Sequence, residues 1–218
     1  MLTLFGNLDS GNVHKVQMIL ARLGLPFRRV DVRQDRGQPR DALFLALNPM
    51  GKVPAVRLSD GDVLTDSGAL LFYFSCGTPL WPETPRDQAE VLRWMFFEQY
   101  SHEPALAVLR YLRRFTPDPD AHYTRICELE SKSVFALGVL ERRLAEAEWV
   151  AGPAPTIADY ALYPYTRWMD EVGFSFRDRP AINLWLSRVQ DLPGFLPLYA
   201  DAAEEVITFS DYFGSPSL

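Results

Sequence analysis

The amino-acid sequence predicts two parts of different fold class, a small α/β domain with a mixed sheet at residues 1–78 and an all-α helical domain at 88–218. Strand and helix signals alternate in the first part in the order βαβαββα. A linker at 79–87 contains three prolines, and beyond it apolar residues recur at helical spacing almost to the end. The chain has 218 residues, 48% of them hydrophobic, which is enough to build packed cores.

Turn residues separate the elements of the first part. Gly24 and Pro26 end the first helix, whose apolar residues recur from Val13 to Leu23 at intervals of three and four. Asp60-Gly61 is the turn of a hairpin. The predicted elements are a strand at 2–6, this helix, a strand at 27–32, a short helix at 41–48, a hairpin at 53–64 and a helix that begins near Asp66 and Ser67.

Prolines and caps delimit the helices of the second part. Pro117 and Pro119 separate the first two helices. Thr156 is a good N-cap for the third, and Asp159 can accept a hydrogen bond from the N–H of Thr156, a capping box with Asp in place of Glu. We expect a structural role for this pair. The predicted helices cover about 88–114, 122–147, 156–172 and 181–191, and a less regular tail follows from Pro193.

Charge is distributed unevenly along the chain. Residues 1–80 contain nine Lys and Arg against seven Asp and no Glu, a net charge of +2, whereas the remainder has 13 against 21, a net charge of −8. The amino-terminal part is therefore the better candidate for binding an anionic ligand. Neither part is basic enough to indicate a nucleic-acid partner.

The cysteines and the lengths of the apolar runs indicate which broad class of protein this is. Cys76 and Cys127 lie in apolar helical patterns, outside any metal-binding spacing, so we expect inert core thiols and no metal site. No apolar run approaches the ~18 residues of a membrane span, and the first residues lack a basic segment followed by an apolar one. We expect a cytoplasmic protein that does not bind membranes.

The stretch "NPMGKVPAV", at 48–56, contains a proline near the start of a strand. Pro54 cannot donate to a β ladder, so it must lie at an edge or in a special turn. Val53 is then held in an extended conformation, and its N–H and C=O can point outward to a peptide-like ligand. A cis Val53-Pro54 bond would make this backbone a docking edge for an extended peptide.

The stretch "LTDSGALLFYF" places two polar side chains at the start of an apolar helix. Ordinary helix capping would explain Ser67. A helix N-terminus also favours an anion, so Ser67 could donate to a carboxylate while Asp66 faces an ammonium. The α-amino acid end of a ligand supplies both charges.

Together these stretches resemble the cytosolic glutathione transferase family. "NPMGKVPAV" looks like its glutathione-docking turn, "LTDSGALLFYF" like its γ-glutamyl site and "PTIADYALYPY" (155–165) like its folding motif, while "FFEQYSHEP" (96–104) resembles a stretch of bacterial members. The resemblance covers essentially the whole chain. It implies a thioredoxin-like domain followed by a helical domain, a homodimer, and glutathione as co-substrate.

The family's reaction needs glutathione as a thiolate, because the thiol is a poor nucleophile. Family members use Tyr, Ser or Cys to hold it, and here the first Tyr is Tyr73 and the first Cys is Cys76, both far from the end of the first strand. Ser10 is therefore the predicted thiolate partner, with Asn12 next and Asn7 as a neighbouring amide. The alternative is that Ser10 only caps the first helix.

Other contacts follow from position. Lys52 is the cation nearest the docking turn and could meet the glycyl carboxylate of glutathione, as could Arg36 or Arg40, or Lys52 could be only a solvated loop residue. The family more often has Glu where Asp66 stands. A second-substrate pocket is expected between the unit that contains Ser10 and the first bundle helix. Its candidate lining residues are Tyr100, His102, Glu103, Leu106 and Tyr111, although aromatic and aliphatic residues at helical spacing are more often core or dimer contacts.

The leading functional hypothesis is conjugation of the glutathione thiolate to a small apolar electrophile. His102 would then be a general acid or, alternatively, a structural histidine. A second enzymatic hypothesis is glutathione-dependent disulfide or peroxide reduction. A third is a non-catalytic scaffold that keeps the fold and the glutathione site.

Overall fold

The computed structural model describes residues 1–214. They divide into two compact units, one made of residues 1–74 together with the described residues from Pro193 onward, the other of 75–192. The first contains the sheet and the second is helical, so the predicted combination of an α/β part and a helical part is confirmed. The division after Phe74 falls close to the expected boundary at 78.

The first unit is built on a mixed five-stranded sheet. Strand β1 pairs in parallel with β2 and antiparallel with β3, β3 pairs antiparallel with β4, and β2 pairs in parallel with β5. The strand order is therefore β4-β3-β1-β2-β5. The strands are β1 Leu2–Phe5, β2 Phe27–Asp31, β3 Ala55–Arg57, β4 Val63–Thr65 and β5 Glu205–Thr208.

Short helices complete this unit and cover its sheet. Leu4 and Phe5 are both fully buried, because successive strand residues point to opposite faces and both faces are covered. The ring of Phe5 lies 6.4 Å from that of Phe44 and 5.2 Å from that of Tyr212, near the carboxyl end of the described chain. The α-helices of the unit are α1 Gly11–Arg22, α2 Ala42–Leu45, α3 Ser67–Ser75 and α9 Phe209–Phe213, with 3₁₀ turns at Gln34–Arg36 and Gln38–Arg40.

The tail corrects the sequence prediction, which placed residues 88–218 in an all-helical part. Residues 205–208 form β5 and extend the sheet beside β2. Arg29 is buried and pairs with Asp201 at 2.8 Å, and the carbonyl of Phe27 accepts from the N–H of Glu204 at 2.9 Å. An edge strand with three of four residues exposed has no apolar alternation, so periodicity could not reveal it.

The helical unit contains the four predicted helical regions with two differences. The expected helix at 88–114 is divided by a π-helical segment at Glu98–His102, next to Pro104, which has no N–H to continue the regular ladder. The expected helix at 156–172 ends at Arg167 and continues as a 3₁₀ turn. The helices are α4 Pro85–Phe97, α5 Glu103–Arg114, α6 Tyr123–Glu146, α7 Ile157–Arg167 and α8 Pro180–Gln190.

The capping box at the start of α7 is present as predicted. Asp159 is completely buried and accepts hydrogen bonds from the N–H of Thr156 at 2.9 Å, the N–H of Val150 at 3.2 Å and Nε1 of Trp185 at 2.9 Å. Burial raises the pKa of Asp159 to about 6 against the opposing effect of these donors. The side chain joins α7, α8 and the loop before them, which is the structural role expected.

The cysteine prediction is wrong for Cys76. It is exposed just after α3, and Cys127, on α6, is half-buried. Within residues 1–214, none of the helices is long and apolar enough to span a membrane. The same residues contain no cluster of three or more His, Cys, Asp or Glu side chains that could hold a metal ion.

Candidate functional site

Three predicted site segments meet at one end of the sheet. Ala55 of β3 lies opposite Phe5 of β1 on one side and opposite Thr65 of β4 on the other. The loop to Ser10 leaves β1 after Phe5, Val53-Pro54 precedes Ala55, and Asp66 follows Thr65. The strand register therefore brings together the candidate thiolate partner, the candidate docking turn and the candidate γ-glutamyl site.

Ser10 is the N-cap of α1. Its backbone is extended, and its Oγ accepts a hydrogen bond from the N–H of Val13 at 3.3 Å. The cap uses a lone pair of the hydroxyl and not its proton, so Ser10 can still donate to a ligand. The first turn of α1 contains no acidic residue, which leaves the positive end of the helix dipole uncompensated by its own side chains.

Asn12 lies in the first turn of α1 and contacts a buried lysine. Nζ of Lys15 donates to Oδ1 of Asn12 at 2.7 Å. The Lys15 side chain is almost completely buried, with 1% of the residue exposed, whereas Asn12 is half-buried. Sequence reasoning did not single out Lys15, although its spacing of three from Asn12 on a helix indicated contact.

Asn7 attaches the loop that follows β1. Its side-chain amide donates to the carbonyl of Val32 at 2.9 Å, and its Oδ1 accepts from the N–H of Asp9 at 3.1 Å. Asn7 is buried, so these contacts attach the loop after β1 to the end of β2. These contacts give Asn7 a role in shaping this loop, and its role as an amide donor beside the thiolate stays a prediction.

The docking turn is organised by Asn48, which the sequence analysis did not single out. The buried Asn48 amide donates to the carbonyl of Lys52 at 2.7 Å, and its Oδ1 accepts from the N–H of Met50 at 3.1 Å. An Asn before a proline is a usual starter of such a turn. The Val53-Pro54 bond is cis, and β3 begins only at Ala55.

Gly51 brings the turn close to Arg40. Its φ is +58°, and a Cβ built there would lie 2.8 Å from the carbonyl oxygen of Pro39 and 3.0 Å from an Nη of Arg40. Arg40 is exposed, as is Lys52, so both cations border the turn with their charges in water. Arg36 is also exposed, one 3₁₀ turn earlier.

Asp66 caps α3. Its φ is 74°, and its Oδ1 accepts from the N–H groups of Gly68 at 2.9 Å and Ala69 at 3.1 Å. Ser67 is the first residue of the helix and is buried. The capping role considered for Ser67 is therefore carried out by Asp66.

The candidate second-substrate residues differ in exposure. His102 is completely buried, and its Nε2 lies 2.8 Å from Oγ1 of Thr166 on α7. Tyr100 is 87% exposed and lines a cavity of about 450 Å³ beside α6, together with Arg125 and Phe135. Leu106 is buried, Glu103 is half-buried and Tyr111 is exposed.

Comparison with known proteins agrees with this geometry. Residues 9–75 match the family model "Glutathione S-transferase, N-terminal domain", and residues 136–188 match the model for the C-terminal domain. The chain is 31% identical over 200 residues to glutathione S-transferase GstB of Escherichia coli K12, covering 88% of this chain and 95% of GstB. This chain belongs to the cytosolic glutathione transferase family. The family prediction made from its motifs is thereby confirmed.

Solved structures extend the similarity of this chain to three dimensions. A glutathione S-transferase from Pseudomonas fluorescens Pf-5 is 38% identical, with a TM-score of 0.88, covering 90% of this chain and 98% of that one. Ure2p in complex with glutathione is 25% identical, with a TM-score of 0.79, covering 88% and 90%. The predicted thioredoxin-like and helical fold of this chain is thereby confirmed.

Proposed function

We propose that this protein binds glutathione where β1, β3 and β4 end together, ionises its thiol beside Ser10 and transfers the sulfur to an apolar electrophile. The observation that carries the proposal is the register of Phe5, Ala55 and Thr65, which brings the helix cap, the cis-proline turn and the α3 cap to one place. The binding of glutathione by Ure2p, a relative of similar fold, supports the same ligand here.

Each end of glutathione has a candidate partner. The peptide group of Val53 would pair with the cysteinyl backbone of the ligand, as an added strand pairs with a sheet edge. The second carboxylate oxygen of Asp66 would meet the α-ammonium, and Ser67 the α-carboxylate, at the start of α3. Arg40 and Lys52 border the turn and would meet the glycyl carboxylate.

The thiol would be ionised by donors to its sulfur. A free thiol has a pKa near ~8.5, and lowering it by two units takes about 2.7 kcal/mol of preferential stabilisation of the anion. A hydrogen bond from Ser10 to a charged partner contributes ~1.5 to 3 kcal/mol and a helix N-terminus ~0.3 to 1 kcal/mol. These effects together are of the required size.

The thiolate would attack an electrophilic carbon, forming a C–S bond while the leaving group departs with its electron pair. Tyr100, Glu103 and Tyr111 remain candidate contacts for this second substrate. The burial of His102 against Thr166 favours its structural role over general acid catalysis. A cytoplasmic homodimer that acts without a metal also remains part of the proposal.

Two comparisons separate this proposal from its alternatives. Retention on immobilised glutathione distinguishes a glutathione binder from a protein that only keeps the fold. Turnover of a chlorinated nitroaromatic, compared with reduction of a glutathione-capped disulfide and of a peroxide, distinguishes conjugation from reduction. Binding without turnover in any assay would favour the non-catalytic scaffold.

Ultraviolet titration of bound glutathione tests the thiolate site directly. We expect Ser10→Ala to raise the pKa of the bound thiol and to lower turnover while the fold is kept. Tyr212→Phe is the control, because the tail brings this phenol into the same unit, against Phe5. Full activity in Ser10→Ala with loss in Asn12→Ala would move the thiolate role to Asn12, and loss in Tyr212→Phe would contradict both.

A further inference from the structure

We propose that Lys15 is a positioning residue that turns the NH₂ end of the Asn12 amide toward the bound sulfur. The proposal rests on the proposed function of this site, since it assumes a thiolate at the start of α1. It gives a buried cation a role in orienting a catalytic side chain. The binding of glutathione by the three segments described above does not require that role.

The chemistry of the two groups determines the orientation of the amide. An ammonium has three donors and no acceptor, so it can approach only the oxygen of an Asn amide. Nζ of Lys15 lies 2.7 Å from Oδ1 of Asn12, a distance typical of a charge-assisted hydrogen bond. Because the amide is planar, holding its oxygen against Lys15 also fixes the NH₂ group, which lies beside the oxygen and turns its donors away from the ammonium.

The helix holds both groups in this arrangement. Asn12 and Lys15 are three residues apart and share a face of α1, and helical side chains lean toward the N-terminus. Lys15 therefore extends from a buried position toward the turn that Ser10 caps. Its side chain is almost completely buried, so its position is restricted.

The neighbouring buried polar residues of α1 serve a different purpose. Nε2 of His14 contacts the carbonyl of Leu196, and Oε1 of Gln17 accepts from the N–H of Ala202. Both contacts attach the tail of the chain. Lys15 contacts the first turn of its own helix, where the proposed ligand would lie.

Two effects on the sulfur follow. An amide whose oxygen accepts from an ammonium is polarised and donates more strongly through its nitrogen. The same orientation prevents the Asn12 carbonyl from facing the thiolate, where like partial charges would repel. Loss of Lys15 should therefore raise the pKa of the bound thiol through Asn12.

Bound-thiol titration of single and double variants tests this coupling. We expect Lys15→Met to raise the thiol pKa by about one unit, the shift that loss of one charge-assisted interaction produces. Asn12→Ala should produce a similar rise, and the double variant should rise no further than Asn12→Ala alone. Lys15→Arg, which keeps the charge and the donors, should restore part of the shift.

Gln17→Leu is the matched control, since it removes a buried polar contact from the same helix. We expect it to lower stability without changing the thiol pKa. An unchanged thiol pKa in Lys15→Met, or a further rise when Lys15→Met is added to Asn12→Ala, would overturn the role of Lys15 without contradicting the thiolate site.

A different result would contradict the proposed function itself. If the wild-type protein binds glutathione without lowering the pKa of its thiol, the proposed thiolate site is wrong, and so is the role of Lys15. If Lys15→Met does not fold, Lys15→Gln and Lys15→Arg decide by the same titration: Lys15→Gln, which loses the charge, should raise the thiol pKa more than Lys15→Arg, and equal shifts would overturn the role of the charge.

Discussion

Nε2 of His14, on α1, lies 3.1 Å from the carbonyl oxygen of Leu196, 182 residues further along the chain. Because a carbonyl only accepts, Nε2 carries the proton of this hydrogen bond. Burial lowers the pKa of His14 to about 4, against the opposing effect of the Leu196 carbonyl. The ring is therefore neutral at pH 7 and attaches the carboxyl-terminal segment to the α/β unit.

The stability of the protein should depend on pH through His14. The pKa of about 4 in the folded state lies below the ordinary value of 6.5, so the unfolded chain binds more protons between these values. The contribution is fully present above pH 6.5 and is lost as the pH falls through 4, by roughly 3 kcal/mol in all.

Urea unfolding of wild type and His14→Gln at pH 7 and at pH 4.5 measures this contribution. The stability advantage of wild type should shrink on acidification, because Gln does not titrate. Asp159 acts in the opposite direction: its pKa is raised to about 6, so its contribution is full below 3.8 and is lost as the pH rises through 6. Asp159 is present in both wild type and His14→Gln, so its contribution cancels from the difference in stability between them. An advantage that stays constant with pH would show that His14 does not titrate in this window.

Asp201 should hold the tail through Arg29. The Arg29 side chain is 5% exposed and pairs with Asp201 and with Asp31, so removing Asp201 leaves a buried cation with fewer partners. We expect Asp201→Ala to cost about 1 to 2 kcal/mol and to speed proteolytic release of the carboxyl-terminal segment. Asp170→Ala, which breaks the exposed ion pair with Arg167, is the control. It should change neither the free energy of unfolding nor the rate of proteolytic release. Equal release rates in the two variants would contradict the expectation.

Asp159→Ala should destabilise the helical unit by about 2 kcal/mol or more, because three buried donors lose their acceptor. Calorimetric melting measures the loss. Asp159→Asn keeps the side-chain volume and one acceptor oxygen, so its melting temperature should lie between those of wild type and Asp159→Ala. Glutathione affinity of the folded fraction should stay near the wild-type value, and an unchanged melting temperature would refute the role of the capping box.

Gly51→Ala should weaken glutathione binding. It should also lower the free energy of unfolding by more than the strain of a left-handed backbone alone would cost. The added Cβ would lie 2.8 Å from the carbonyl oxygen of Pro39, within the docking turn. Gly37→Ala is a matched control with a φ of +68° and nothing within 4 Å of the added atom. Both should lose about 1 kcal/mol to the left-handed backbone. Only Gly51→Ala should also show a raised dissociation constant by calorimetry, and equal constants would exclude the turn as a docking element.

Local chemistry made the backbone features of the candidate site predictable. Pro54, Ser10 and the Asp66-Ser67 pair act through backbone geometry and helix caps, which a short stretch of sequence encodes. Which neighbouring side chain makes which contact was harder to predict from the sequence. Asp66 rather than Ser67 caps α3, and Asn7 supports a loop, because such choices depend on side-chain directions that spacing alone does not determine.

Sequence alone predicted the order of elements in residues 1–78 and the helical regions of the second part, since turns, caps and apolar periodicity are local properties, and it proposed Ser10 and Asn12 as candidate thiolate residues. The tertiary structure decided the rest. It added β5 to the sheet, aligned Phe5, Ala55 and Thr65 at one edge, and set Lys15 against Asn12. These are contacts between distant segments or buried polar groups, and their energies come from packing and desolvation that no local pattern records.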